Sequence, residues 1–458
     1  MNGYAAVATT PLNVTSFYGK YSTAPSTAGT IQGRQKFDLV DQKTGDVVGK
    51  FDALVSQNNS FGLLGHNAIH TELLVTDVEE GTVGTGLGQV PPPSSRIGWG
   101  AIRDSPFGSV YSAMPAPGGS VVRLTVLTPF GNIPLPRFFD ATKGFADYGE
   151  VNEPFSLADG YSIGPAEPEK PWLTAAIGGI SPLYTVEQGT QKFRVYDTAT
   201  GVTTGTFTGY ATPTLDALVF NTLAILVTDT DGSTNVGPGP GQVPPKDTVY
   251  NLMYVRNLGI NLLYTSKPSA SGDVISTRLV APTGSARLPI SFNASTPPAP
   301  AVLQVPGGYR FVPTSPLYET GINGLPPFQV LRQGYQRFDV LDPAGNTIGS
   351  VDADISHQWN GVDPRGLFGL QNTGMLITKV TAGTSGSGPG DVPLAGSVFN
   401  FLQSKTPGFG QFYSAVPSPA GNVITNLLVT PFGSFRVPTM YDAAAGLDEV
   451  TYVDHFAP

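Results

Sequence analysis

The chain repeats itself three times, and that repetition constrains its fold more than any other property. "KFDLVDQKTGDVVGKFDALVS" begins at Lys36, "KFRVYDTATGVTTGTFTGYAT" at Lys192 and "RFDVLDPAGNTIGSVDADIS" at Arg337. Set in register on Phe37, Phe193 and Phe338, the copies lie about 156 and 145 residues apart. Further landmarks follow in the same order in each copy. The first is "ELLVTDV", matched by "AILVTDT" and "MLITKVT". Next comes a glycine tract ending in Val-Pro: "GTGLGQVPP", "GPGPGQVPP" and "GSGPGDVP". "VYSAMPAPGGSVV", "LLYTSKPSASGDVI" and "FYSAVPSPAGNVI" come third, and "LTPFGNIPLP", "VAPTGSARLP" and "VTPFGSFRVP" last. A period this long exceeds the ~20–50 residues of solenoid or propeller repeats and matches a whole domain. The expected organisation is three homologous domains over residues 1–160, 161–300 and 301–458, joined by Pro-rich stretches near residues 162–172 and 293–302.

Each unit reads as strands. The opening hairpin pairs Phe37 with Phe51, Phe193 with Phe207, and Phe338 with Val351, which sends Lys36 and Asp52, or Arg337 and Asp352, to the opposite face. Asp and Gly in "DQKTGD", "DTATGV" and "DPAGN" suit the turn. The second copy keeps its phenylalanines but has Thr208 in place of the acid, so the hairpin reads as scaffold. Short β-branched runs and Pro-Phe-Gly turns predict an all-β fold: three tandem antiparallel domains, each a small barrel or a sandwich of about seven strands. The one helix candidate is "YDAAAGLDEV", residues 441–450. Alternating strands could also build a transmembrane barrel. The prolines near strand ends and the division into three units argue against it.

Composition narrows the partners. Charged residues are 13% of the chain, net charge is −9, and the isoelectric point is near 4.9. Such a chain lacks the cationic footprint that nucleic acid or an anionic membrane surface requires. With no cysteine there is no disulfide, thiolate nucleophile or Cys-ligated zinc. No apolar run reaches the ~18 residues of a membrane helix, and "MNGYAAVATTPLNV" does not read as an ordinary signal peptide.

The search for chemistry is mostly negative. His66 and His70 stand four apart but lack the HExxH context, and read as loop histidines. "DTDGSTN" from Asp229 starts like a calcium loop, but its twelfth position is Pro240, so a β-turn is expected. The glycine tract lacks the Gly-Lys-Ser/Thr ending of a phosphate loop and reads as a long flexible connection. No Gly-x-Ser-x-Gly elbow occurs. A glycosidase would need paired carboxylates; Asp52 and Asp352 have basic partners, and Asp104 and Asp363 stand in expected loops. Residues 356–369, "SHQWNGVDPRGLFG", read as a long loop that gathers His357, Trp359 and Arg365 as binding candidates. No metal site and no cofactor are expected.

The phrases "GYRFVPTSPLY", "GDVP" and "VTPFG…VP…YDAAAGL", with the RFD-type hairpins, resemble secreted or envelope-associated proteins of mycobacteria and other actinobacteria. The resemblance implies surface exposure and no particular activity. The expected function is a non-catalytic structural or binding protein that presents its β domains to a surface glycan, lipid or protein. The alternatives are a hydrolase acting on envelope polysaccharide or lipid, using carboxylates, and a structural protein of a virion.

Overall fold

β-Branched runs broken by Gly and Pro cannot propagate a helix, so backbone N–H and C=O groups find partners in neighbouring strands. A computed structural model describes residues 3–10, 12–19, 28–61, 67–102, 106–136, 140, 142, 154–157, 159–166, 173–180, 184–216, 220–255, 259–288, 302–325, 329–360, 370–388, 390–404 and 409–437. The helix expected at 441–450 lies outside them, as does most of the second Pro-rich stretch.

The first unit is a nine-stranded antiparallel sheet. It comprises β1 (Tyr4–Ala8), β2 (Asn13–Gly19), β3 (Ala28–Asp41), β4 (Val47–Phe61), β5 (Asn67–Gly81), β6 (Arg96–Ile102), β7 (Gly108–Met114), β8 (Val121–Thr128) and β9 (Gly131–Pro134). The second sheet has ten strands. These are β10 (Phe155–Ser156), β11 (Tyr161–Pro165), β12 (Leu173–Ile180), β13 (Tyr184–Asp197), β14 (Thr203–Asp216), β15 (Phe220–Asp229), β16 (Val249–Val255), β17 (Ile260–Lys267), β18 (Val274–Ala281) and β19 (Gly284–Leu288). The third unit opens with β20 (Leu303–Gln304), β21 (Arg310–Pro313), β22 (Tyr318–Leu325), β23 (Gln329–Leu341), β24 (Thr347–Asn360) and β25 (Leu370–Ala382). Two short strands, β26 (Ser385–Gly386) and β27 (Val392–Pro393), pair with each other in parallel. The third sheet ends with β28 (Val398–Ser404), β29 (Gly410–Val416), β30 (Val423–Thr430) and β31 (Gly433–Arg436), and it too has ten strands. The all-β expectation of tandem antiparallel units holds, but the second sheet already begins with β10 and β11, so residues 155–165 belong to it rather than to the end of the first domain or to a linker. The count per unit exceeds about seven because short edge strands precede each hairpin.

Each sheet meanders from its long hairpin to its last strand. β3 serves two partners on one edge: β2 along Gly29–Arg34, then β1 along Phe37–Asp41. β1 and β9 are opposite edges and do not pair, so the sheet is a curled half-barrel around its own core. The expected pairs Phe37–Phe51, Phe193–Phe207 and Phe338–Val351 lie in register and face inward. The two Phe–Phe pairs stack at 5.3 Å between centroids. On the outer face Arg337 Nε donates to Asp352 Oδ1 at 2.8 Å, and Lys36 pairs with Glu79 and, at 3.8 Å, with Asp52. In the second unit the missing acid is supplied from elsewhere. Thr208 donates to Asp231 Oδ1 at 2.8 Å, and Lys192 stands 3.5 Å from Asp231 Oδ2. That is the structural use of "DTDG", a turn whose Asp231 has φ +50°.

The glycine tract is not the flexible connection expected. It folds back so that its final valine plugs the core: Val90, Val243 and Val392 are all completely buried. Gly49, Gly205 and Gly349 in the hairpins leave the room, since a Cβ there would overlap the Cγ2 of each valine. The residue before each valine fastens the loop. Gln89 and Gln242 accept from the N–H of Gly86 and Gly239 at 2.9 Å, and Asp391 from Gly388 at 3.1 Å.

The units close on one another. β12 of the second unit lies over β3, β4 and β5 of the first; β22 of the third lies over β13, β14 and β15; β2 of the first lies over β23, β24 and β25. Each flap strand thus covers the preceding unit, and the first covers the last. This head-to-tail pattern closes a ring with pseudo-threefold symmetry. Gly33 and Gly334 stand where flap meets hairpin, and a Cβ on either would strike the flap's backbone.

Candidate functional site

The repeat register places Gln32, Gln188 and Gln333 at one equivalent position, five residues before the hairpin phenylalanines. All three are buried, and Gln188 Nε2 donates to Gln333 Oε1 at 2.7 Å. Equivalent residues of a ring can touch only close to its axis, so the glutamines mark the axis. Ser56 and Ser356, across the hairpins from Gln32 and Gln333, are also buried. These buried amides and hydroxyls suit cohesion between the units.

The three seams share a plan and differ in chemistry. The residue one step before each glutamine, Ile31, Glu187 or Arg332, reaches the outer face of its neighbour or flap. Ile31 packs on Leu376, Val398 and Tyr413 of the third unit. Glu187 pairs with Arg96 of the first unit, where Arg96 occupies the place of Val398; Arg96 Nη1 is also 3.7 Å from Glu72. Burial pulls the Arg96 guanidinium below its ordinary value, while the charge and hydrogen bond of Glu72 oppose that. Arg332 pairs with Glu319 of its own flap. Burial raises Glu319, and Arg332 works in the opposite direction.

One group at these seams escaped sequence reasoning, and a second was misplaced by it. Asp354 on β24 is cross-strand from Leu376, in the seam closed by β2, and is 5% exposed. Among the described residues its Oδ2 has no hydrogen-bond partner, and burial pushes its carboxyl up to about 7. His70 is in β5 rather than in the loop expected. It is buried, with neither ring nitrogen hydrogen-bonded among the described residues, and burial lowers it to about 4. His66 lies outside the described residues. Away from the seams, Lys267 is a buried amine over the Tyr250 ring, and burial depresses it.

The expected binding loop divides. His357 and Trp359 belong to strand β24, and Arg365 lies outside the described residues, as do Asp104 and Asp363. His357 Nδ1 is 3.0 Å from Thr373 Oγ1; burial first, and the Arg332 charge second, lower it to about 4, so its imidazole is neutral near pH 7. Among the described residues no cluster of three His, Asp or Glu could hold a metal ion, and no helix is long and apolar enough to cross a membrane. No family model, curated protein or solved structure matches the chain.

Proposed function

We propose that this chain is a non-catalytic structural or binding protein, a single-chain ring that presents three related β surfaces to a surface partner. The supporting observation is the head-to-tail exchange of flaps, which makes three copies into one body with equivalent outward faces. Among the described residues the buried pairs Arg96–Glu187 and Arg332–Glu319 at the seams serve cohesion, and the hairpin acids Asp52 and Asp352 pair with Lys36 and Arg337. A secreted or envelope location, like that of the actinobacterial proteins the phrases resemble, fits this reading. So does a place in a virion, where closed threefold bodies are useful building blocks.

Two measurements test it. First, a protease site inserted between Thr296 and Pro297 allows the chain to be cut between its second and third units. The fragments should co-elute as one particle, because two flap seams still join them; separation in native buffer refutes the ring. Second, incubation with envelope polysaccharides and lipids should release no product above a protein-free control. Sustained turnover would favour the hydrolase reading.

A further inference from the structure

One seam departs from the other two at the solvent surface. Where the flap β22 lies over the second unit, Tyr318 and Tyr335 stand directly cross-strand. Their rings stack at 5.1 Å between centroids and 16° between planes, yet Tyr318 is 62% exposed and Tyr335 47%. Tyr210 of the second unit joins them. It is half-buried, and its hydroxyl is raised first by burial and then by the neighbouring Tyr318 and Tyr335.

The repeat shows that the fold does not require these rings. The places of Tyr318, Tyr335 and Tyr210 are held by Leu173, Thr190 and Leu54 at the seam of the first two units, and by Asn13, Arg34 and Asp354 at the seam of the third and first. The turn beside them departs in the same way. Lys246 and Asp247, both exposed, stand where the other units have Pro93 and Ser94, or Ala395 and Gly396. Asp247 donates its N–H to the Val227 carbonyl at 2.9 Å, next to Leu226, on which Tyr210 packs. The charges of Lys246 and Asp247 both reach Glu319, the neighbour of Tyr318 in β22.

The chemistry of these groups selects a ligand class. Phenol rings open to water offer flat apolar faces with a negative quadrupole, which attract the slightly positive C–H groups on the face of a sugar ring. Asp247 as acceptor and Lys246 as donor suit the hydroxyls at the rim of such a ring. Their charges cancel, so the site favours a ligand without net charge. Three rings and a turn fall well short of the ~800 Å² that each side of a stable protein interface buries. Two parallel rings also do not enclose a cation.

We propose that Tyr210, Tyr318 and Tyr335, with Lys246 and Asp247, form a single binding site for a neutral glycan at the seam of the second and third units. This rests on the binding reading above and narrows its partner to a glycan held at one seam. The probes are neutral hexasaccharides of glucose, mannose and galactose, titrated into the full chain by calorimetry. At least one should bind, with one site per chain. The variant Tyr318→Asn/Tyr335→Thr takes residues that the other units carry at these places. It should keep its thermal transition and weaken that hexasaccharide at least about tenfold. Asp247→Gly adopts the third unit's residue at a place of positive φ, and should fold normally while weakening binding about fivefold. Tyr318→Phe/Tyr335→Phe keeps both rings and should bind within about twofold of wild type. No binding by any of the three hexasaccharides, three sites per chain, or an unaffected Asn/Thr variant would each overturn the proposal. So would tighter binding of hexagalacturonic acid or of a dodecaproline peptide, or self-association that the Asn/Thr variant abolishes. The cut chain and the turnover assay are run in parallel. An intact, product-free particle that binds no hexasaccharide refutes the glycan site alone, whereas separated fragments refute the ring and released product refutes the non-catalytic reading.

Discussion

Replacing Arg96 with valine should damage the seam between the first two units far more than its single position suggests. The guanidinium is buried between two carboxylates, Glu72 and Glu187, which are 0% and 10% exposed. Without it both buried acids lose this shared counter-charge, a loss of about 3–5 kcal/mol. The chain itself supplies the repair. At the seam between the third and first units the corresponding places hold Ile31, Val398 and Gly374, an apolar solution to the same geometry. The triple variant Arg96→Val/Glu187→Ile/Glu72→Ala should therefore regain most of the loss and come within about 1 kcal/mol of wild type or exceed it. Urea titration followed by tyrosine fluorescence, with elution of the chain cut between Thr296 and Pro297, measures both seam and fold. If Arg96→Val costs less than about 1 kcal/mol, or if the triple variant recovers nothing, the charge cluster does not hold the seam.

Three further outcomes follow from the same geometry. The folded seam favours neutral Asp354 up to about pH 7, against about 3.9 unfolded, so stability falls by about 1.4 kcal/mol per pH unit between those values. Asp354→Asn should remove that slope, and parallel melts at pH 4.5 and 7.5 check it; an unchanged slope rules out Asp354 as its source. Gly349→Ala drives a Cβ into both the Ala382 carbonyl and Val392, at a cost of about 1–3 kcal/mol read from the denaturant midpoint, and Val392→Ala in the same chain, which relieves only the second contact, should recover part of it. Phe207→Ala empties a fully buried site and should cost about 3–5 kcal/mol; a smaller loss would mean that the hairpin stack does not anchor its unit.

The hairpins were legible because local chemistry decides them. Turn length fixes which residues face each other, so Phe37–Phe51 and Arg337–Asp352 follow from counting. The glycine tract misled because glycine signals freedom wherever its surroundings are unknown. The usable clue was the polar residue repeated before each buried valine, Gln89, Gln242 or Asp391. The ring was harder to see. Its seams are built from Ile31, Glu187 and Arg332, equivalent places whose chemistry diverged, so the repeat pattern fades where the units meet. Isolated charges such as Glu72 and Arg96 amid apolar runs, in a chain with only 13% charged residues, were the one available hint. The binding candidates failed to assemble for a related reason. His357 continues a strand that looked finished, and a strand's end is not set by the residues that follow it.

Flap exchange also imposes an order on synthesis. β12 and β22 each find their seat on a unit that has already left the ribosome, but β2, made first, must wait for the last. Its seat is complete only when β25 emerges, about 360 residues later. At roughly 5–20 residues per second that is a delay of about 20–70 s. Throughout that interval a nascent chain carries one unseated flap, paired to β3 but uncovered, and one vacant seat, each able to capture its counterpart on a neighbouring polysome.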